Sequence, residues 1–231
     1  MTEIFLLSGG AAQGLVGSLA PRFQAEHGCT IAGTYGAVGA MRQRLEAGEP
    51  ADLLILTRAI IDELARDDAV LADTVADVGA VDTAVAVRSG TPPPAVADAD
   101  QLREALLAAD EIFCPDPKLA TAGIHFAGVL ERLGIAEDVA GRIRVFPNGA
   151  TAMRHLADSK AANPIGCTQV TEILSTEGAE MVAPLPLGYG LATTYTAAIC
   201  TRARHADLAG RLIALLTDAE TQGARHAAGF R

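Results

Sequence analysis

Four short segments combine small side chains with positions that open helices: Ser8-Gly9-Gly10-Ala11, Gly36-Ala37-Val38-Gly39, Thr121-Ala122-Gly123 and Asn148-Gly149-Ala150-Thr151. Small side chains let a ligand approach the main chain. The N–H groups that begin a helix lack intrahelical acceptors and carry a partial positive charge. Several such starts aimed at one place hold an anion without any lysine. Ser8, Thr121, Asn148, Thr168 and Gln169 add side-chain hydrogen bonds suited to the planar oxygens of a carboxylate, and Tyr35 flanks the second segment. His125, one turn into the helix that opens at Thr121, has the side chain whose ordinary pKa suits proton transfer near neutrality, and it equally fits an ordinary helix histidine. Arg42, Lys118 and Arg154 stand near these segments, either to attract an anion or as solvated surface charge, and the remaining acids read as solubilising surface charge. Gly and Ala at such turns also serve plain packing of helix on strand. Neither glycine run is a phosphate or dinucleotide fingerprint: Gly9-Gly10-x-x-x-Gly14 is not Gly-x-Gly-x-x-Gly, and no Gly-Lys-Ser/Thr occurs. No cofactor is expected.

The elements that must position these residues alternate. An apolar run, Ile4 to Leu7, precedes the first segment, and Leu15, Leu19 and Phe23 then recur every four residues until Gly28, with Pro21 expected to kink that helix or cost it a hydrogen bond. A strand near Thr30 to Thr34 leads into the second segment, Met41 and Leu45 share a helix face, and Leu53 to Leu56 form a buried strand. Thr57 is placed to cap a helix reaching Arg66, and a Val-rich strand spans Val78 to Val87. After Thr91-Pro92-Pro93-Pro94, a helix opens at Asp100. Strands follow at Ile112 to Cys114, Ile143 to Phe146, Ile165 to Cys167 and Met181 to Leu185, separated by helices over Thr121 to Leu133, Thr151 to Ser159 and Val170 to Leu174. The chain closes with a strand, Thr193 to Cys200, and helices over His205 to Leu216 and Ala219 to Ala228. Strand, small-residue turn and helix in repetition predict an α/β fold with a mostly parallel sheet, whose ligands gather at the carboxyl ends of the strands.

Composition narrows the function. Eighteen Lys and Arg against 28 Asp and Glu give a net charge of −10, which argues against a nucleic-acid partner. Half of the residues are apolar and 20% charged, enough for a large core in 231 residues. No run of about 18 apolar residues is free of charges and breakers, so no membrane insertion is expected. The N-terminus shows no basic region followed by an apolar stretch, which reads as a cytoplasmic chain, or a periplasmic one whose signal has been removed. Cys29, Cys114, Cys167 and Cys200 are widely spaced, with no Cys-x-x-Cys pair and no clustered His, so they read as buried apolar residues in a reducing compartment and not as a zinc site.

The run Leu45-Glu46-Ala47-Gly48-Glu49-Pro50-Ala51-Asp52-Leu53-Leu54-Ile55, set after two strand-helix units, resembles the equivalent segment of type II periplasmic binding proteins of the molybdate-receptor class. Pro115-Asp116-Pro117, Ala122-Gly123-Ile124, Leu130-x-x-Leu133-Gly134, Asn163-Pro164-Ile165-Gly166 and Gly229-Phe230 extend the resemblance to nearly the whole chain. It implies two α/β lobes, each a mostly parallel sheet flanked by helices, joined by two crossover strands that act as a hinge over a small solute. Lobe I would comprise residues 1–82 and 194–231, and lobe II residues 83–193. In that class a tetrahedral oxyanion is held by Ser hydroxyls on the first two turns, by N–H groups of the second lobe and by a Tyr hydroxyl. The corresponding positions here are Gly10-Ala11, Ala37-Val38-Gly39, Ala122, Gly149 and a residue near Gln169, so the main-chain donors remain and the Ser and Tyr hydroxyls are absent.

Two functions follow from the resemblance. The first is capture of a small anionic solute, an oxyanion or a carboxylate, in the interlobe cleft, as in substrate-binding proteins of ABC transporters; a chain without an export signal lacks the usual route to a transporter partner. The second is an isomerase of an unsaturated polycarboxylate, since relatives of the class include aconitate isomerases. That reaction takes a proton beside a carboxylated double bond and returns it at the allylic carbon, with N–H donors steadying the enolate-like charge and His125 as the base.

Overall fold

The computed structural model describes residues 2–231. Two compact units divide the chain, one running through Val81 and resuming over Thr193–Arg231, the other Asp82–Ala192. In chain order the first unit holds β1 (Thr2–Gly9), α1 (Gln13–His27), β2 (Cys29–Gly36), α2 (Val38–Glu46), β3 (Leu53–Thr57), α3 (Arg58–Arg66) and the beginning of β4 (Ala76–Arg88). The second unit takes the rest of β4, then α4 (Ala99–Ala108), β5 (Glu111–Pro115), α5 (Thr121–Arg132), α6 (Ala136–Val139), β6 (Ile143–Phe146), α7 (Gly149–Asp158), β7 (Pro164–Gln169), α8 (Val170–Leu174) and β8 (Ala179–Pro184). The chain returns along β9 (Ala192–Ile199) and ends in α9 (Ala206–Thr217) and α10 (Gln222–Ala227).

In the first unit β1 pairs in parallel with both β2 and β3, and β9 runs antiparallel to β3. Strand β3 is buried along its whole length, as the unbroken apolar run Leu53 to Leu56 requires of a strand covered on both faces. Helix α1 buries Leu15, Val16, Leu19 and Phe23 and ends at Gly28, whose left-handed φ of 62° suits glycine. Pro21 stands on the exposed side, so its missing N–H costs one backbone bond without ending the helix. Thr57 sits at the N-cap of α3 as expected, yet its side chain makes no capping bond, and α4 is capped by Asp98, not opened by Asp100: the Asp98 carboxylate accepts from the Gln101 N–H. The last helical segment also differs from its expected span, since residues 219–221 form a 3-10 turn before α10.

In the second unit β5 is parallel to β6 and β7, while β4 runs antiparallel to β7 and to β8. Alternation along the strands sends side chains to two cores. Ile112 and Cys114 pack with Phe126 and Val129 of α5, whereas Phe113 packs on the other face with Ala152, Met153 and Leu156 of α7 and Ile173 of α8.

One acid in the first unit is a tether and not surface charge. Asp52 is 1% exposed, its carboxylate accepting from the N–H groups of Phe5 (2.8 Å), Arg204 (2.6 Å) and His205 (2.9 Å). A charge this deep persists only when its oxygens are paired, and here the partners join β1 to the chain entering α9. Replacement Asp52→Ala leaves three N–H groups without an acceptor and is expected to lower unfolding free energy by about 3 kcal/mol or more, read as a lower urea midpoint at unchanged slope.

Candidate functional site

The parallel strands bring the small-residue turns to defined edges. In the first unit β1, β2 and β3 end together at Gly9, Gly36 and Thr57, and in the second β5, β6 and β7 end together at Pro115, Phe146 and Gln169. Each expected turn therefore lies at the carboxyl edge of its own sheet, where an α/β unit presents main-chain donors.

The first two turns touch. Gly9 has no side chain because the space is taken: a Cβ there would stand 2.9 Å from both Val38 Cγ1 and Tyr195 Cε1. Gly10 and Ala11 belong to a buried 3-10 turn that feeds α1. Ser8 is wholly buried and its hydroxyl donates to the Gly9 carbonyl at 2.9 Å, which spends its donor inside the turn. Ala37, extended at φ −61° and ψ 137°, is the N-cap of α2, and Val38 and Gly39 open that helix with no side chain capping it among the described residues. Tyr35 takes a different place from the one expected. Its ring and hydroxyl fill the space beside Gly33, two residues back along β2, and so turn from the Ala37 end of the strand. Burial pushes its phenol up to about 12.

In the second unit the Thr121 turn is built on the end of β5. Asp116 accepts from the N–H groups of Lys118 (2.6 Å) and Leu119 (3.1 Å), turning the chain into α5, which Ala120 precedes without a side-chain cap. Thr121 is half-buried, and Ala122 and Gly123 are buried. The main-chain oxygens of Pro115 and Asp116 occupy the space a Cβ on Gly123 would need, so only glycine lets the helix start this close to the strand. His125 is half-buried and its Nε2 lies 2.6 Å from the Tyr189 carbonyl. A carbonyl only accepts, so Nε2 carries a proton, and in the neutral ring the lone pair is on Nδ1. Arg132 stacks over the Tyr189 ring at 4.3 Å, and with His125 it pins the turn at Pro186 to Gly190 onto α5.

The fourth turn holds an anion of its own. Asn148 caps α7, its side chain accepting from the Thr151 N–H at 2.8 Å. Thr168, wholly buried, donates its hydroxyl to Glu172 at 2.6 Å. Burial pushes the Glu172 carboxyl above its ordinary value, against the lowering pull of the Thr168 hydroxyl and of the nearby main-chain N–H groups of Ala150, Gln169 and Gly149, and the carboxylate lies against Gly149. Gly149, Thr168 and Gln169 thus lie around a side chain that the sequence reading assigned to surface charge. The spacing Thr168-x-x-x-Glu172 at the end of a buried strand was the available signal. Tyr195, against Gly9, is a second residue that sequence reasoning missed.

The cations near the turns are mostly committed. Arg42 is paired with Glu46 (2.7 Å) and Glu63 (2.5 Å), and Arg154 donates to Thr151 Oγ1 at 2.9 Å. A groove of about 620 Å3 in the first unit lies at the opposite edge of the sheet from its turns, and in its lining Glu46, Glu49, Asp67 and Asp68 outnumber Arg202 and Arg204, which disfavours an anion. All four cysteines are buried free thiols, with burial raising Cys114 to about 11 and Cys200 to about 12, so they are poor nucleophiles. Among the described residues no three His, Cys, Asp or Glu side chains gather as a metal site, and no helix is long and apolar enough to cross a membrane.

Residues 4–231 match the bacterial extracellular solute-binding proteins. The chain belongs to that family. The fold is that of type II periplasmic binding proteins: the periplasmic molybdate-binding protein of Azotobacter vinelandii superposes with a TM-score of 0.82 at 16% identity, over 99% of this chain and 98% of the other. The sulfate-binding protein of Mycobacterium tuberculosis gives 0.77 at 20% identity, over 100% and 87%. An aconitate isomerase of Pseudomonas sp is 24% identical over 240 residues, spanning 100% of this chain and 88% of that protein.

Two measurements check this geometry. Gly123→Ala is expected to destabilise by about 3 kcal/mol, because main-chain oxygens cannot yield, whereas Gly128→Ala in the same helix meets nothing within 4 Å and is expected to stabilise by about 0.5–1 kcal/mol. For Tyr35, the neutral phenol is favoured in the fold, so the unfolded chain ionises first and stability should fall as pH rises from about 10 to about 12. Absorbance titration of the tyrosinate band should show a late phase that Tyr35→Phe removes.

Proposed function

We propose that this chain captures a small anion through main-chain N–H groups at the carboxyl edge of a sheet, with the start of α2 in the first unit and the start of α5 in the second each a candidate contact. The observation that carries this is the contrast among the turns. Among the described residues the starts of α2 and α5 show no side-chain cap, while α7 is capped by Asn148 and packed against Glu172. Uncapped N–H groups at a strand-helix junction are stable when an anion or water accepts from them. The molybdate- and sulfate-binding proteins that share the fold support an anionic solute. Acting outside the cytoplasm is part of this reading, in keeping with the family's extracellular designation, and fractionation of producing cells tests it.

Calorimetric titration with molybdate, sulfate and trans-aconitate tests the reading directly. At least one is expected to bind and to raise the melting temperature by several degrees when present at about a hundred times its Kd. Thr121→Pro sharpens the test. Ala120 at φ −103° and ψ 127° already has the conformation a following proline demands, so the substitution removes one donor at little cost to the helix. Binding about tenfold weaker is expected; unchanged binding would rule out the start of α5 as a contact.

A second reading rests on the aconitate isomerase relative: turnover of an unsaturated polycarboxylate with His125 as base. In the neutral ring Nδ1 is the nitrogen with the lone pair, held in orientation by the Nε2 bond to Tyr189. Incubation with trans-aconitate separates the two by NMR. New cis-aconitate signals that disappear in His125→Gln favour catalysis, whereas broadened but unconverted signals favour binding alone.

A further inference from the structure

The donor set at the start of α7 is matched to an anion that the chain itself supplies. Thr168 Oγ1 gives Glu172 a short charge-assisted bond of 2.6 Å, and the carboxylate is packed against Gly149, the first residue of α7, where the main-chain N–H groups of Ala150, Gln169 and Gly149 lower its pKa. Room for it exists only because residue 149 has no side chain, since a Cβ there would overlap Glu172 Oε2 and Thr168 Oγ1. Part of the arrangement is local. Glu172 is the third residue of α8 and reaches back to the N–H of Gln169, the N-cap, as a Glu or Gln in a capping box does. Local capping does not require Gly149 and Ala150, which lie on another helix more than twenty residues earlier.

We propose that Glu172 is a specificity-determining residue: a resident carboxylate that fills the anion position at the start of α7, so that this unit repels a tetrahedral dianion there and leaves the start of α5 as its place for an anionic group. The inference rests on the anion-binding reading above. Its physical content is exclusion as much as occupancy. The carboxylate already lies at the start of α7, and a second negative charge beside a buried carboxylate is opposed by Coulomb repulsion that solvent screens poorly. A ligand whose negative charge is spread over separated carboxylates avoids that encounter; a compact dianion does not.

Glu172→Gln tests this in the full chain, because Gln keeps the size and the capping bond of Glu while removing the charge. Calorimetric titration of both proteins with sulfate, molybdate and trans-aconitate should show at least about tenfold tighter binding of sulfate or molybdate by the variant, with a smaller change for trans-aconitate. Wild-type binding of any of these anions with variant affinities all within twofold would overturn this inference and leave the anion-binding reading standing. No binding by either protein would overturn both. Should the variant fail to fold, the wild type answers by NMR. Saturating sulfate should leave the amide resonances of Gly149, Ala150 and Gln169 in place, and a shift at all three would mean that sulfate displaces Glu172 and the proposal is wrong.

Discussion

Every parallel strand that runs into a helix creates the same obligation: the first N–H groups of that helix need an acceptor. The architecture of both units follows from how that obligation is met. Where a side chain meets it, the junction is a structural knot. Asn148 at α7 and Asp98 at α4 are such caps, and Asp52 does the same across the first unit by accepting from Phe5, Arg204 and His205. Where no N-cap side chain meets it among the described residues, as at α2 and α5, the first N–H groups and the positive end of the helix dipole stay open to an acceptor. An acidic protein can therefore bind an anion, because the attraction comes from oriented main-chain dipoles and not from net charge.

Glycine placement shows the same economy. Gly9, Gly123 and Gly149 each stand where a Cβ would strike something that cannot be removed: a neighbouring turn and ring, main-chain oxygens, and a buried carboxylate. Close packing and ligand access are usually offered as alternative explanations of small residues at these turns. Here the first two positions bring helix starts onto strands, and the third admits an internal anion. The small residues at one turn thus serve packing, and those at another serve charge.

Two buried carboxylates, Asp52 and Glu172, carry much of the internal polarity of their units. Each is surrounded by donors from segments far apart in sequence, so each ties its unit together only once the fold has formed. This is an expensive way to hold a structure unless the oxygens find donors: both oxygens of Asp52 do, and Thr168 gives Glu172 a short bond.

Much of the fold was legible without coordinates. Apolar spacing in Leu15, Leu19 and Phe23, the unbroken run Leu53 to Leu56, and the recurring small-residue turns were enough to predict the alternation of strand and helix, because local periodicity is written in neighbouring residues. The turns themselves were legible for the same reason. What the side chains around them do was not. Ser8 spends its hydroxyl on Gly9, Tyr35 lies back over Gly33, Tyr195 reaches Gly9 from the far end of the chain, and Glu172 occupies the donors that sequence reading reserved for a ligand. Residue type and spacing determined which helices would begin at which strands. Only the tertiary structure decided which of those beginnings already had an acceptor, since an acceptor can arrive from any segment that packing brings within hydrogen-bond distance.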